Sequence, residues 1–161
     1  MSLSLSRRSR RSSEVFELLT PEERLEELEK ALQQLEDLSE HVPIVVEGQR
    51  DKTALKRLGI TKNVYPLNKG KSVFSFCEEI SRFAKTAVIL TDWDKRGGQL
   101  ARMLRDGLEA NGVHANDLIR MQLVILSKKE VKDIESLPTF IGRLKSAPRG
   151  ISAVRVRAKR I

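Results

Sequence analysis

A-V-I-L-T-D-W-D-K-R-G-G, residues 87–98, decides how this chain is read. A short apolar run ends on two acids spaced by one residue, and a basic pair and a glycine pair follow. The run fits a buried strand, predicted over Thr86–Thr91. In extended backbone alternate side chains share a face. Asp92 and Asp94 therefore reach one ion together while Trp93 points away. Gly97 and Gly98 open a helix, predicted over Gly98–Asn111 and closed by Gly112. Small residues at such a turn let backbone approach a phosphate, and free N–H groups at a helix start favour an anion. Lys95 and Arg96 add positive charge beside the acids.

Moving outward, V-P-I-V-V-E-G-Q-R-D-K (residues 42–52) repeats the pattern. A strand over Val42–Glu47 ends on a carboxylate, and Gly48 permits a sharp turn into a helix over Asp51–Leu58 that Gly59 ends. Glu47 has two readings: a carboxylate paired with Arg50 or Lys52, or a general acid/base or metal ligand. A third cluster, Lys132-Asp133-Ile134-Glu135, follows the apolar run M-Q-L-V-I-L at residues 121–126. Carboxylates gathered at strand ends suit a hard cation such as Mg²⁺, with Mn²⁺ as the alternative. Such an ion is the usual agent of chemistry on phosphodiesters. Lys52 and Lys71 are further candidates for phosphate contact, although Lys52 also sits where it can bridge to Asp51 or Glu47.

The remaining elements alternate. Thr20-Pro21-Glu22-Glu23 is a capping box with Pro at the first helical position. It starts an amphipathic helix running to about His41, with Leu25, Leu28, Leu32, Leu35 and Leu38 on one face and acids mostly on the other. That stripe lasts two heptads and favours packing on its own domain over a dimer zipper. Asn63–Leu67 reads as a strand. Ser72–Lys85 reads as a helix with Val73, Phe76, Cys77, Ile80 and Phe83 inward. Arg120–Leu126 reads as the last strand and Ile134–Lys145 as the last helix. The predicted class is α/β: a Rossmann-like, mainly parallel four-stranded sheet flanked by helices on both faces. In such sheets ligands bind beyond the carboxyl ends of the strands, where Glu47, Asp92 and Asp94 fall. The expected organisation is a basic disordered arm over 1–19, the acidic helix over 20–41, the α/β domain over 42–145 and a basic tail over 146–161. Residues 147–161 fit either an edge strand with a basic face or a disordered arm.

Charge is unevenly placed. The net charge is +8 over 161 residues. Arg7, Arg8, Arg10 and Arg11 lie before residue 14; Arg143, Lys145, Arg149, Arg155, Arg157, Lys159 and Arg160 lie after residue 135. Neither end carries an acid, so these eleven positive charges leave the middle at −3. Basic termini around an acidic middle point to a polyanionic partner, RNA or DNA. The lone Cys77 excludes an intrachain disulfide and a multi-cysteine zinc site. It sits on an inward helix face and reads as core. His41 and His114 read as surface residues. No apolar run is long enough to span a bilayer, so no membrane role is expected and the cytoplasm is the default compartment.

V-V-E-G-Q-R-D-K (residues 45–52) followed by L-T-D-W-D-K-R-G-G (residues 90–98) resembles the Toprim signature. Toprim is the catalytic domain shared by bacterial-type primases, topoisomerases, old-type nucleases, recombination-repair proteins and ribosomal RNA maturation nucleases. Asn68-Lys69-Gly70-Lys71 matches its glycine-containing loop, and Val131-Lys132-Asp133-Ile134-Glu135 resembles its later acidic element. The match spans about residues 42–136, and the short chain most resembles small stand-alone Toprim proteins of archaea and some bacteria. The resemblance implies a Toprim fold, Asp92 and Asp94 as Mg²⁺ ligands, Glu47 as acid/base or metal contact, and Asp133 and Glu135 as auxiliary catalytic acids.

Three functions follow as expectations. The first is a Mg²⁺-dependent enzyme on nucleic-acid phosphodiesters, foremost a nuclease in RNA processing or DNA repair. The second is a non-catalytic nucleic-acid-binding or scaffold module of the same fold, with a protein partner on the acidic N-terminal helix. The third, an aspartyl-phosphate acceptor, ranks last, because D-x-D follows the third predicted strand and not the first.

Overall fold

A computed structural model of the chain describes residues 19–67, 70–127 and 130–147. The expectations for residues 1–18 and 148–161, and for Asn68 and Lys69, lie outside that range. Helix α1 covers Pro21–Ser39 and starts on the predicted capping box, in which the Thr20 hydroxyl accepts from Glu23 N–H and the Glu23 carboxylate from Thr20 N–H. Strand β1 (Ile44–Val46) leads into α2 (Gln49–Arg57), then β2 (Val64–Pro66) and α3 (Val73–Ser81). Strand β3 (Thr86–Ile89) leads into α4 (Lys95–Ala110), then β4 (His114–Asn116), α5 (Leu118–Ser127) and α6 (Leu137–Ser146).

The four strands form one wholly parallel sheet in the order β2-β1-β3-β4. Its two faces follow from strand periodicity. Ile44, Val46, Val88 and Leu90 turn to a core shared with α1, α2, α5 and α6. Val45, Ala87 and Ile89 turn to a core shared with Phe76, Cys77 and Ile80 of α3 and Ala101, Leu104 and Leu108 of α4. Burying both faces is what makes β1 and β3 continuous apolar runs. The leucine stripe of α1 is spent on this domain: Leu25, Leu28, Leu32 and Leu35 are buried and Leu38 packs against the same core. Gly59 and Gly112 sit at φ +90° and +76°, in the left-handed region where a Cβ is strained, and close α2 and α4.

Several expectations change. The run at 120–126 is not the last strand; it belongs to helix α5, which buries Ile119, Leu123 and Leu126 at helical spacing. A short unbroken apolar run carries no period that separates the two states. The fourth strand is His114–Asn116 instead, three residues with Ala115 buried. Helix α4 begins at Lys95 and not at Gly98, because Asp94 caps it. Helix α3 stops at Ser81, so Phe83 is not inward; it is 57% exposed and lies against Tyr65 with ring centroids 5.5 Å apart. Among the described residues no helix is long and apolar enough to cross a membrane.

Candidate functional site at the ends of β1 and β3

Strand β1 has β2 on one side and β3 on the other, so the chain reverses its direction of growth between β1 and β3. Crossover connections leave such a point in opposite directions and open a crevice above the strand ends. Glu47 stands at the end of β1 and Asp92 three residues past the end of β3. Glu47 Oε2 accepts from Asp92 N–H at 2.8 Å. Burial first, and then the Glu47 carboxyl, push the Asp92 pKa up to about 8; Ile134 N–H opposes them. Such a pair carries a proton near neutral pH because two adjacent carboxylates in a desolvated crevice repel.

The three residues of Asp92-Trp93-Asp94 do different work. Asp92 Oδ1 accepts from Ile134 N–H at 3.1 Å. Trp93 does not simply point away. Its backbone N–H donates to Lys132 O at 2.9 Å and its indole N–H to Val131 O at 2.6 Å, which staples the 131–134 segment over the strand end. Asp94 is exposed and caps α4, with Oδ1 accepting from Gly97 N–H at 2.6 Å. Period two therefore does not make the two aspartates equivalent. Gly97 is needed for another reason than phosphate approach: a Cβ there would sit 1.9 Å from Asp92 O, and the Gly97 N–H is already taken.

The other predicted residues fall nearby with unequal freedom. Asp133 Oδ1 accepts from Ser136 N–H at 2.7 Å. Glu135 is exposed, 4.0 Å from Arg50. Neither Arg50 nor Lys52 forms an ion pair with Glu47 among the described residues. Lys52 is half-buried on α2, and Lys95 and Arg96 are exposed on the first turn of α4. Lys71 is paired with Glu79 and so is not a free phosphate contact. Among the described residues no three His, Cys, Asp or Glu converge closely enough to form a metal cage. The donor set still fits Mg²⁺, which takes one or two carboxylates and completes its shell with water and phosphate oxygens. Glu47 and Asp92 are the carboxylates that would hold such an ion, and a dication there would relieve their mutual repulsion.

Two residues of the site escaped the sequence reading. Asp51 is buried, at 6% exposure, and Oδ2 accepts from Gly48 N–H at 3.0 Å. Burial raises its pKa first, and Glu47, Glu135 and Asp133 add to the rise against the Gly48 hydrogen bond. The third-residue position in a helix start was its only signal. Arg120 reaches in from α5: Nε donates to Thr91 O at 3.0 Å and Nη2 to Asp92 O at 2.7 Å. Burial lowers its pKa, against the pull of Glu47, Asp92 and Asp94. Reading 120–126 as a strand hid it. His41 and His114 are exposed, and Cys77 is buried with its thiol pushed up to about 11 by desolvation.

A parallel four-stranded Rossmann-like α/β domain with paired carboxylates at its switch point is the class that this fold and site define. The chain is 43% identical over 123 residues to a UPF0292 protein of Methanosarcina barkeri, across 76% of this chain and 85% of that protein. It is 31% identical over 121 residues to a UPF0292 protein of Methanocaldococcus jannaschii, across 73% of this chain and 94% of that one. The chain belongs to the UPF0292 family. A solved structure of a putative protein from Aquifex aeolicus superposes with a TM-score of 0.58 at 26% identity, over 66% of this chain and 94% of that chain. No family model matches.

Proposed function

We propose that this protein is a Mg²⁺-dependent Toprim-type enzyme acting on nucleic-acid phosphodiester bonds, foremost a nuclease in RNA processing or DNA repair, working in the cytoplasm. One observation carries the reading: Glu47 and Asp92 come from neighbouring parallel strands and meet at the switch point of the sheet. The resemblance of residues 45–52 and 90–98 to the Toprim signature supports it. In this reading Glu47 and Asp92 hold the ion, with Asp94 offering its second oxygen, and Glu47 handles a proton of the nucleophile or leaving group. A bound Mg²⁺ supplies polarisation of the phosphoryl oxygens. Lys95 and Arg96, beside the acids, and the basic ends of the chain hold the phosphate backbone.

The test is cleavage of RNA and DNA panels with Mg²⁺ or Mn²⁺, in full-length protein and in Asp92→Asn. Metal-dependent cleavage by the wild type alone supports the proposal. No cleavage, or equal cleavage by the variant, removes it.

The second reading is a nucleic-acid-binding or scaffold module without catalysis. It is favoured by the use of Asp94 and Asp133 as caps for backbone N–H groups, which leaves a pair where three acids were expected. Under it Glu47→Gln leaves salt-dependent RNA or DNA binding and function intact, whereas removal of residues 1–13 and 146–161 abolishes both.

A further inference from the structure

We propose that Arg120 is a positioning residue for the Glu47–Asp92 pair, fixing the Asp92 peptide through two carbonyls so that its carboxylate and N–H both meet their partners. The proposal rests on the reading of that pair as a cation site. Its metal-free half stands apart from that reading.

The argument begins at the edge of the sheet. β3 is paired with β4 only as far as Val88 opposite Asn116, and with β1 through Leu90 N–H to Val45 O at 2.8 Å. Thr91 and Asp92 continue past both registers. Their carbonyls have no strand beside them, and Thr91 is fully buried. A backbone acceptor left unpaired there costs free energy and leaves the turn free to rotate. Arg120 meets both successive carbonyls with one guanidinium, Nε to Thr91 and Nη2 to Asp92. The planar fork takes the place of the next residue of β4.

The consequence falls on Asp92. Its C=O is held by Arg120, its N–H by Glu47 and its Oδ1 by Ile134 N–H. Gly97 lies close to the same carbonyl, where a Cβ would have no room. The backbone N–H and C=O of Asp92 and one of its carboxylate oxygens are thus held, and only the Arg120 contact comes from α5. The hydrogen bonds of Arg120 go to carbonyl oxygens and not to the nearby carboxylates. A cation placed merely to neutralise the acids would do the reverse. Lysine cannot substitute, because an ammonium is a compact charge without the rigid two-donor fork.

The test uses full-length wild type, Arg120→Lys and Arg120→Met. The first readout is amide hydrogen exchange without metal. Losing charge-assisted hydrogen bonds should speed exchange at Asp92 and Ile134 by about tenfold relative to Leu90 and Val88. The second is Mn²⁺ binding, followed by electron paramagnetic resonance of the free ion. Both variants should bind Mn²⁺ about tenfold more weakly. The sign is decisive, because removing a positive charge and nothing else tightens dication binding. Tighter or unchanged binding by Arg120→Met overturns the proposal. So does exchange at Asp92 and Ile134 that rises no more than at Leu90, or full retention of both properties by Arg120→Lys. If Arg120→Met does not fold, Arg120→Lys decides by the same two readouts. If the wild type binds no Mn²⁺, the proposed enzymatic function fails, and the exchange ratios alone decide the role of Arg120.

Discussion

Asp92 and Asp94 stand two residues apart in one turn and live under opposite physics. Asp92 is half-buried and donates its N–H to a carboxyl from another strand, and burial, then that carboxyl, push its pKa up to about 8. Asp94 is exposed and spends an oxygen on the first turn of α4. The inner half of the turn is built from long-range contacts: Glu47, Arg120 and Ile134 all converge on Asp92. The outer half is built from local ones, within three residues. Long-range contacts create an unusual chemical environment, whereas local contacts create a helix. A motif that looks symmetric in sequence therefore divides into an end held by distant parts of the chain and an end held by its own helix.

The division breaks most readily at Asp92. Asp92→Asn should lower metal-dependent cleavage by about 10²–10⁴-fold, while Asp94→Asn, which keeps a good cap and removes the charge, should lower it far less. Equal losses in a cleavage assay would make the two aspartates equivalent ligands and erase the contrast. Gly97→Ala attacks the junction of the two halves. Its methyl has no room beside the Asp92 carbonyl, so urea unfolding should report a loss of about 1–3 kcal/mol or more. A neutral result would mean that the turn relaxes freely.

The pH dependence sharpens the contrast in a different way. The folded Asp92 holds its proton up to about 8, whereas its ordinary value is 3.8. Between these values the folded state binds the extra proton. The resulting contribution to stability is full below about pH 4 and is lost as pH rises through about 8. Asp51, also raised, acts in the same direction. Without divalent ions the Tm should fall over this range by on the order of several degrees, and Asp92→Asn should flatten the slope. Added Mg²⁺ should do most at the alkaline end, where the pair is ionised. A slope unchanged in Asp92→Asn would place the proton elsewhere. The smallest effect is expected at the outer half: Asp94→Ala should cost about 1 kcal/mol in chemical denaturation, the usual worth of a cap.

Much of this arrangement was legible in the chain. Apolar runs ending on Glu47 and Asp92 located the two strand ends, and the α/β alternation put both at one edge of a parallel sheet. The capping box of α1 and the glycines closing α2 and α4 are local signals and were read as such. What escaped depended on distance. Nothing local distinguishes Arg120 from a surface arginine, and its apolar neighbours fit a strand as well as a helix. Asp51 looks like a solvated residue in a first turn, yet the folded chain buries it. The unequal fates of Asp92 and Asp94 could not be read, because period two specifies direction and not partners: Asp94, itself in extended backbone, meets the Gly97 N–H, whereas Asp92 meets Glu47 and Ile134.

The strand order has a consequence for synthesis. The Glu47–Asp92 contact spans 45 residues of chain, and the Asp92–Ile134 contact another 42. A chain emerging from the ribosome presents Glu47 long before the rest of the crevice exists, and contacts of high sequence separation form late. The site is completed only when the 131–134 segment arrives. Until then the protein has strands, helices and carboxylates, but no crevice in which they act together.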